Sequence, residues 1–342
     1  MALLVIFGAG ATYDSVNELV NARPYRELQH RQRPPLATSL FSDRSDYQNI
    51  LNIYPAVKAI VPDLRQRIAD GENIEEVLQD LFDSAKPRNV KGVAAARFYI
   101  NHLIRQTTEA WASKADGMTN YSRLLDYIDD ATANSMRQTY LVSFNYDLMI
   151  EEALANHGIN INSINGYIDN SRYKLIKPHG SINWKQVVRF RTIRDDWRRI
   201  LVEEPETVEY LHQEPYVIDS SIDLSRYEGD TISRVPVIEI PMANKNRFAC
   251  PQSHLQCLVD GLPQVTHILT VGWRGTEKHF TALLAKYLKG GSIGIVSKSA
   301  ESCNVVKENL RNAGLENFGY GHFATGFSGF THKDLLASFL GQ

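Results

Sequence analysis

The feature that most constrains the fold of this sequence is an apolar run ending in two glycines. Leu3-Leu4-Val5-Ile6-Phe7 leads directly into Gly8-Ala9-Gly10-Ala11-Thr12. An apolar run without alternation reads as a strand buried on both faces, the kind found in parallel sheets covered by helices. Runs of similar character recur at 139–144, 173–177, 235–240, 267–271 and 292–296. Amphipathic helical patterns follow several of them, at 148–156 (ended by Gly158), 277–288 and 300–312, and another closes the chain at 333–340. The pattern predicts an α/β protein built on a Rossmann-like, doubly wound parallel sheet.

Residues 14–134 differ. They carry helical patterns at 74–82, 93–111 and 121–128 and no convincing strand, so the expectation is a helical lobe inserted into a sheet domain formed by 1–13 and 135–342. The stretch 184–233 mixes basic, acidic and aromatic residues without clean periodicity, and its role is not legible. Within it, Lys185, Arg189, Arg191, Arg194, Arg198 and Arg199 lie among Trp184, Phe190 and Trp197. Asp195 and Asp196 interrupt them and Glu203, Glu204 and Glu206 follow, so a self-neutralising solvated face is expected rather than a nucleic-acid surface.

Composition narrows the class further. Lys plus Arg total 37 against 39 for Asp plus Glu, a balance that gives no general attraction to nucleic acid or anionic lipid. The opening apolar run has no basic residue before it and is too short for a signal peptide, and no apolar run approaches the roughly 20 residues of a membrane helix. Cys250, Cys257 and Cys303 form neither a disulfide framework nor a zinc pattern. A cytoplasmic protein with no metal is expected.

Three motifs carry chemistry. Gly8-Ala9-Gly10-Ala11-Thr12 is either a plain tight turn or a cradle in which backbone N–H groups approach a pyrophosphate; the third glycine of the usual dinucleotide fingerprint is missing. Asn145 and Asp147, at the end of the second strand, can both face a ligand crevice, although Asp147 can equally cap the helix that follows. In Lys177-Pro178-His179-Gly180, His179 is either structural or a proton acceptor near neutrality.

Taken in order, these motifs resemble the sirtuins, and most closely the sirtuin-like NAD hydrolase domains of prokaryotic antiphage defence systems of the Thoeris, short-Argonaute-linked and HerA-linked types. The glycine loop is followed by Arg33-Pro34-Pro35-Leu36 where that family has Pro-Pro-Leu. Asn145 and Asp147 match its Asn-x-Asp, and His179-Gly180 its His-Gly. Val271-Gly272 and Val296-Ser297 match later strand ends, and Asn73-Ile74-Glu75-Glu76-Val77-Leu78 a helix start. The sequence departs from the deacetylases in lacking the paired Cys-x-x-Cys zinc lobe and in having Phe144 where they carry Gln; Thr12 replaces their Ser.

The resemblance implies an NAD+ hydrolase that breaks the nicotinamide–ribose bond with water. It assigns Asn145 to orienting the water or the ribose hydroxyls, His179 to accepting a proton, and Asp147 to holding the carboxamide. Gly8, Gly10 and Thr12 would cradle the pyrophosphate of the NAD, Ala9, Ala11 and Pro35 would add further contacts to it, and Gly272 and Ser297 would contact its adenosine half. It further implies a homo-oligomer gated by a separate sensor, a HerA-type ATPase being favoured over a short Argonaute. The alternatives are a module that senses NAD or ADP-ribose without turnover, and a sirtuin-type deacylase or ADP-ribosyltransferase, which the missing zinc lobe disfavours.

Overall fold

The computed structural model describes residues 2–16, 33–115, 117–132, 138–190, 208–210, 216–219, 232–240 and 248–341. The chain divides into two compact units, each assembled from separated segments: the first from 1–34, 108–178 and 250–342, the second from 35–107 and 179–249.

The first unit holds a six-stranded parallel sheet. Its strands are β1 (Ala2–Phe7), β2 (Gln138–Ser143), β3 (Tyr173–Ile176), β8 (Val265–Val271), β9 (Ser292–Val296) and β10 (Gly319–Phe323). They lie in the order β10-β9-β8-β1-β2-β3, so β1 is central and the chain winds outward from it in both directions. That is the Rossmann order, with its topological switch between β1 and β8. Every residue of β1 is buried, as its unbroken apolar run requires. The unit also contains the short helix α1 (Ala9–Tyr13), α6 (Asn120–Thr132), α7 (Met149–Asn156), α8 (Gly166–Asp169), α9 (Gln252–Gly261), α10 (Lys278–Tyr287), α11 (Ala300–Asn312), α12 (Gly326–His332) and α13 (Leu335–Leu340).

The second unit combines helices with a separate antiparallel sheet. Its helices are α2 (Ser45–Leu51), α3 (Pro55–Ala69), α4 (Ile74–Asp83) and most of α5 (Pro87–Ala115), a 29-residue helix within which the division between units falls. Asn73 caps α4 by accepting a hydrogen bond from Glu75 N–H at 2.9 Å. Gly92 lets α5 come close to α3, since a Cβ there would sit 2.7 Å from Ile60 Cγ2 and 2.9 Å from the Ala56 carbonyl oxygen. Phe41 stacks on Tyr99 at 5.4 Å, and Tyr54 meets Tyr99 edge-on at 6.2 Å. The sheet is built on β4 (Gly180–Phe190), which pairs antiparallel with β5 (Val208–Tyr210), β6 (Tyr216–Ile218) and β7 (Ile232–Ile238).

The expected parallel sheet is present, with one reassignment. The run at 235–240 falls largely in β7, which pairs with β4 in the antiparallel sheet instead of joining the parallel one. The sixth parallel strand is β10, whose Gly319-Tyr320-Gly321-His322-Phe323 has too little apolar content to read as a buried strand. The stretch 14–134 is shared between the units: 35–107 groups with 179–249, and 108–134 with the sheet. Among the described residues, no helix is long and apolar enough to cross a membrane.

Candidate functional site

In the parallel sheet the in-register pairs Phe7–Ser143, Phe7–Val271 and Val271–Val296 align the strand ends. The chain therefore delivers Gly8, Asn145, Gly272 and Ser297 to one edge, the carboxyl edge on which ligands of open parallel sheets bind. Gly8 and Gly10 lie at the switch point, against the end of β8.

The glycines are required there by backbone packing. Gly8 N–H donates to Val271 O at 3.0 Å and Gly10 N–H to Gly272 O at 3.1 Å. A Cβ on Gly8 would sit 2.6 Å from Gly272 O, and one on Gly272, whose φ is +59°, would sit 2.3 Å from Ala11 N. Three glycines thus let two turns from different strands interlock. Ala9 is exposed on this turn, while Ala11 and Thr12 are buried.

Asn145 is stapled to the same turn. Its Nδ2 donates to Gly8 O at 2.9 Å, to Thr12 Oγ1 at 2.9 Å and to Tyr121 OH at 3.3 Å. Because the Gly8 carbonyl only accepts, these bonds fix the amide's orientation. Thr12 Oγ1 donates to Asp147 Oδ2 at 2.7 Å. That uses the hydroxyl's one proton, so Tyr121 must be the donor in its 3.0 Å bond to Thr12. Burial, then the negative charge of Asp147, pushes the Tyr121 phenol well above its ordinary range and keeps that proton in place. Asp147 Oδ1 accepts from Met149 N–H at 3.0 Å, the helix-start role open to any aspartate before α7. Asn145, Thr12, Tyr121 and Asp147 form one closed, buried network.

Phe144 lies parallel to Trp273 with ring centroids 5.7 Å apart, and both rings meet Phe280 edge-on. This apolar stack is formed by the residues that adjoin Asn145 and Gly272 in sequence. On the far side of α1, Asp14 accepts from Ser328 N–H at 3.0 Å and from Ser328 Oγ at 2.6 Å, while Asn120 Nδ2 donates to Asp14 O at 2.6 Å. Arg33 Nη1 donates to Tyr13 O at 2.8 Å, and its guanidinium lies 4.7 Å from the Tyr13 ring centre. Ser297 is tied in by its backbone, its N–H to Phe323 O at 3.1 Å and its carbonyl accepting from Gly326 N–H at 2.8 Å.

The structure thus brings Gly8, Gly10, Thr12, Asn145, Asp147 and Gly272 together. Ser297 shares their sheet edge. Pro35 and His179 belong to the second unit. There His179 precedes β4 and its carbonyl accepts from Glu239 N–H at 2.9 Å. Gly180 has φ +83°, and a Cβ on it would sit 2.2 Å from Val237 O, so the glycine of the His-Gly pair is demanded by β7. Tyr121, the residue that sequence reasoning missed, lies 109 positions from the Thr12 hydroxyl it contacts and looks in sequence like any other aromatic on a helix.

The expected solvated face at 184–206 needs correction at two positions. Trp184 and Lys185 are buried in the second unit, whereas Arg189 is exposed; residues 191–206 lie outside the described residues. Burial, reinforced by Arg105, lowers Lys185 from its ordinary 10.5 to about 8, with Arg234 adding to the effect and Asp219 opposing it. Between those pH values the unfolded chain holds a proton that the folded chain has released, so this group makes stability rise with pH. In urea titrations from pH 8 to pH 10.5, wild type should gain about 3 kcal/mol relative to Lys185→Met. Parallel curves for the two proteins would show that Lys185 titrates normally.

Among the described residues, no group of three or more His, Cys, Asp or Glu side chains is arranged to hold a metal ion. In comparison with known proteins, no family model matches the chain and no curated protein matches it.

Proposed function

We propose that this protein is an NAD+ hydrolase that converts NAD+ and water to nicotinamide, ADP-ribose and a proton. The observation that carries the reading is the hydrogen bonding of Asn145 to the glycine turn at the switch point of a Rossmann-ordered sheet. That is where a dinucleotide binds in such sheets. Cleavage passes through an oxocarbenium-like state at the ribose carbon and releases a neutral leaving group, so the protein's task is to hold the dinucleotide and present water. Among the described residues nothing donates to Asn145 Oδ1, which suits that oxygen to accept from a water or a ribose hydroxyl. His179 is kept as proton acceptor on the strength of its motif, and Asp147 as the carboxamide's partner. Pro35, Gly272 and Ser297 are kept as further contacts to the dinucleotide, and no metal takes part.

An unrestrained NAD+ hydrolase would kill its host, so the reading includes a cytoplasmic homo-oligomer held in check by a separate sensor. A HerA-type ATPase is favoured and a short Argonaute is second, in an abortive-infection role against phage. One observation favours a second reading, an NAD or ADP-ribose sensor without turnover: both oxygens of Asp147 and the amide of Asn145 are already engaged within the fold. Incubating the purified protein with NAD+ and separating the products by chromatography decides between them. Nicotinamide and ADP-ribose in equal amounts support hydrolysis. Saturable NAD+ binding with no nicotinamide released, with the sensor protein present, would establish the second reading.

A further inference from the structure

The strand β3 ends one residue before Lys177, a lysine with no exposed surface. Its Nζ donates to Glu151 Oε1 at 2.8 Å and to the Asp147 carbonyl oxygen, and lies 3.5 Å from the Tyr146 carbonyl oxygen. Glu151 Oε1 also accepts from Tyr167 OH at 2.9 Å. Burying an ammonium costs several kcal/mol unless its three donors find acceptors. Two of the Lys177 acceptors are main-chain oxygens of the turn that carries Asn145 and Asp147, and another is the carboxylate on the first turns of α7.

We infer that Lys177 is a positioning residue that sets the backbone of the Asn145–Asp147 turn. Asn145 ties the turn to Gly8 and Thr12, and Lys177 ties it to the end of β3, so the turn between β2 and α7 is held at two separate points. Glu151 neutralises the ammonium from α7 and also accepts from Tyr167 OH. The catalytic consequence rests on the NAD+ reading; the positioning itself does not.

The test uses the full chain in three forms: wild type, Glu151→Gln, and the double variant Lys177→Met with Glu151→Gln, which removes both buried charges and leaves neither unpaired. Amide hydrogen exchange, followed by mass spectrometry, is compared between peptides covering 144–149 and peptides covering β1 and β8. In the double variant the turn should lose protection by about tenfold or more while β1 and β8 keep theirs; Glu151→Gln alone, which keeps an amide oxygen for Nζ but leaves the ammonium without its counter-charge, should lower stability without selectively exposing the turn. Nicotinamide release should fall in kcat by at least about tenfold with KM for NAD+ little changed. Unchanged protection of the turn in the double variant overturns the inference. So does the same turn-selective loss in Glu151→Gln alone, or loss spread equally over β1 and β8 in the double variant, because either makes Lys177 a general stabiliser. If the turn loosens as described but wild type releases no nicotinamide, the positioning stands and the NAD+ reading falls.

Discussion

Replacing Asn145 with alanine should lower nicotinamide release by about 10²–10⁴, the usual effect of losing a group that positions a proton or a water in the transition state. The defect should appear in kcat more than in KM, because the glycine turn stays in place. The structure adds a second consequence that sequence alone did not suggest. Asn145 is buried and donates to Gly8 O, Thr12 Oγ1 and Tyr121 OH; Gly8 O keeps the Ala11 N–H and Thr12 Oγ1 keeps the Tyr121 hydroxyl, so removal strips the Tyr121 oxygen of its donor and should also destabilise the fold by about 1–3 kcal/mol. Chemical denaturation separates the two effects: the rate loss far exceeds what a small unfolded fraction explains. A variant that retains wild-type turnover would remove Asn145 from the mechanism altogether.

The second large effect is expected at Gly272. Valine there must adopt φ near +59° and place its Cβ about 2.3 Å from Ala11 N and 2.5 Å from the Gly10 carbonyl carbon, distances no real Cβ keeps. The left-handed conformation alone costs about 1–2 kcal/mol, and here the obstacle is the backbone of the Gly10–Ala11 peptide, which no rotamer change relieves. Gly272→Val should therefore lose more than about 4 kcal/mol or fail to accumulate as soluble protein. Gly158→Ala is the control. Gly158 has φ +78° but nothing within 4 Å of a Cβ, so that variant should lose only the conformational penalty of about 1–2 kcal/mol. Equal denaturation midpoints for the two variants would mean that the interlocked turns are not a stability determinant.

Most of the parallel sheet was legible because its strands are short apolar runs with glycine or polar residues at their ends. β1, β2, β3, β8 and β9 were all foreseen to within two residues. β10 was not, because an edge strand needs little apolar surface and Gly319-Tyr320-Gly321-His322-Phe323 supplies little. β7 was seen as a strand but put in the wrong sheet, since periodicity says nothing about partners. In the site, Gly8, Thr12, Asn145 and Asp147 were marked by their motifs, and the structure gives each of them a bond to another. Tyr121 and Lys177 were not marked as site residues: their roles come from contacts made across long sequence separations. The length of the β4 sheet was hidden too, because Ser181, Asn183 and Lys185 are polar yet buried, and polar residues read as surface.

The central strand β1 has consequences for how the protein is made. Both of its neighbours come much later in the chain: Leu3 pairs with Thr139 on one side and with His267 on the other. A ribosome adding about 5–20 residues per second needs on the order of tens of seconds to reach β8. Throughout that interval a strand of six apolar residues lacks one or both of its partners. The second unit is likewise incomplete until its strands follow its helices, since 35–107 and 179–249 fold together. Neither unit can be excised as one continuous fragment. Efficient production then calls for chaperones that shield unpaired strands more than for a stronger promoter.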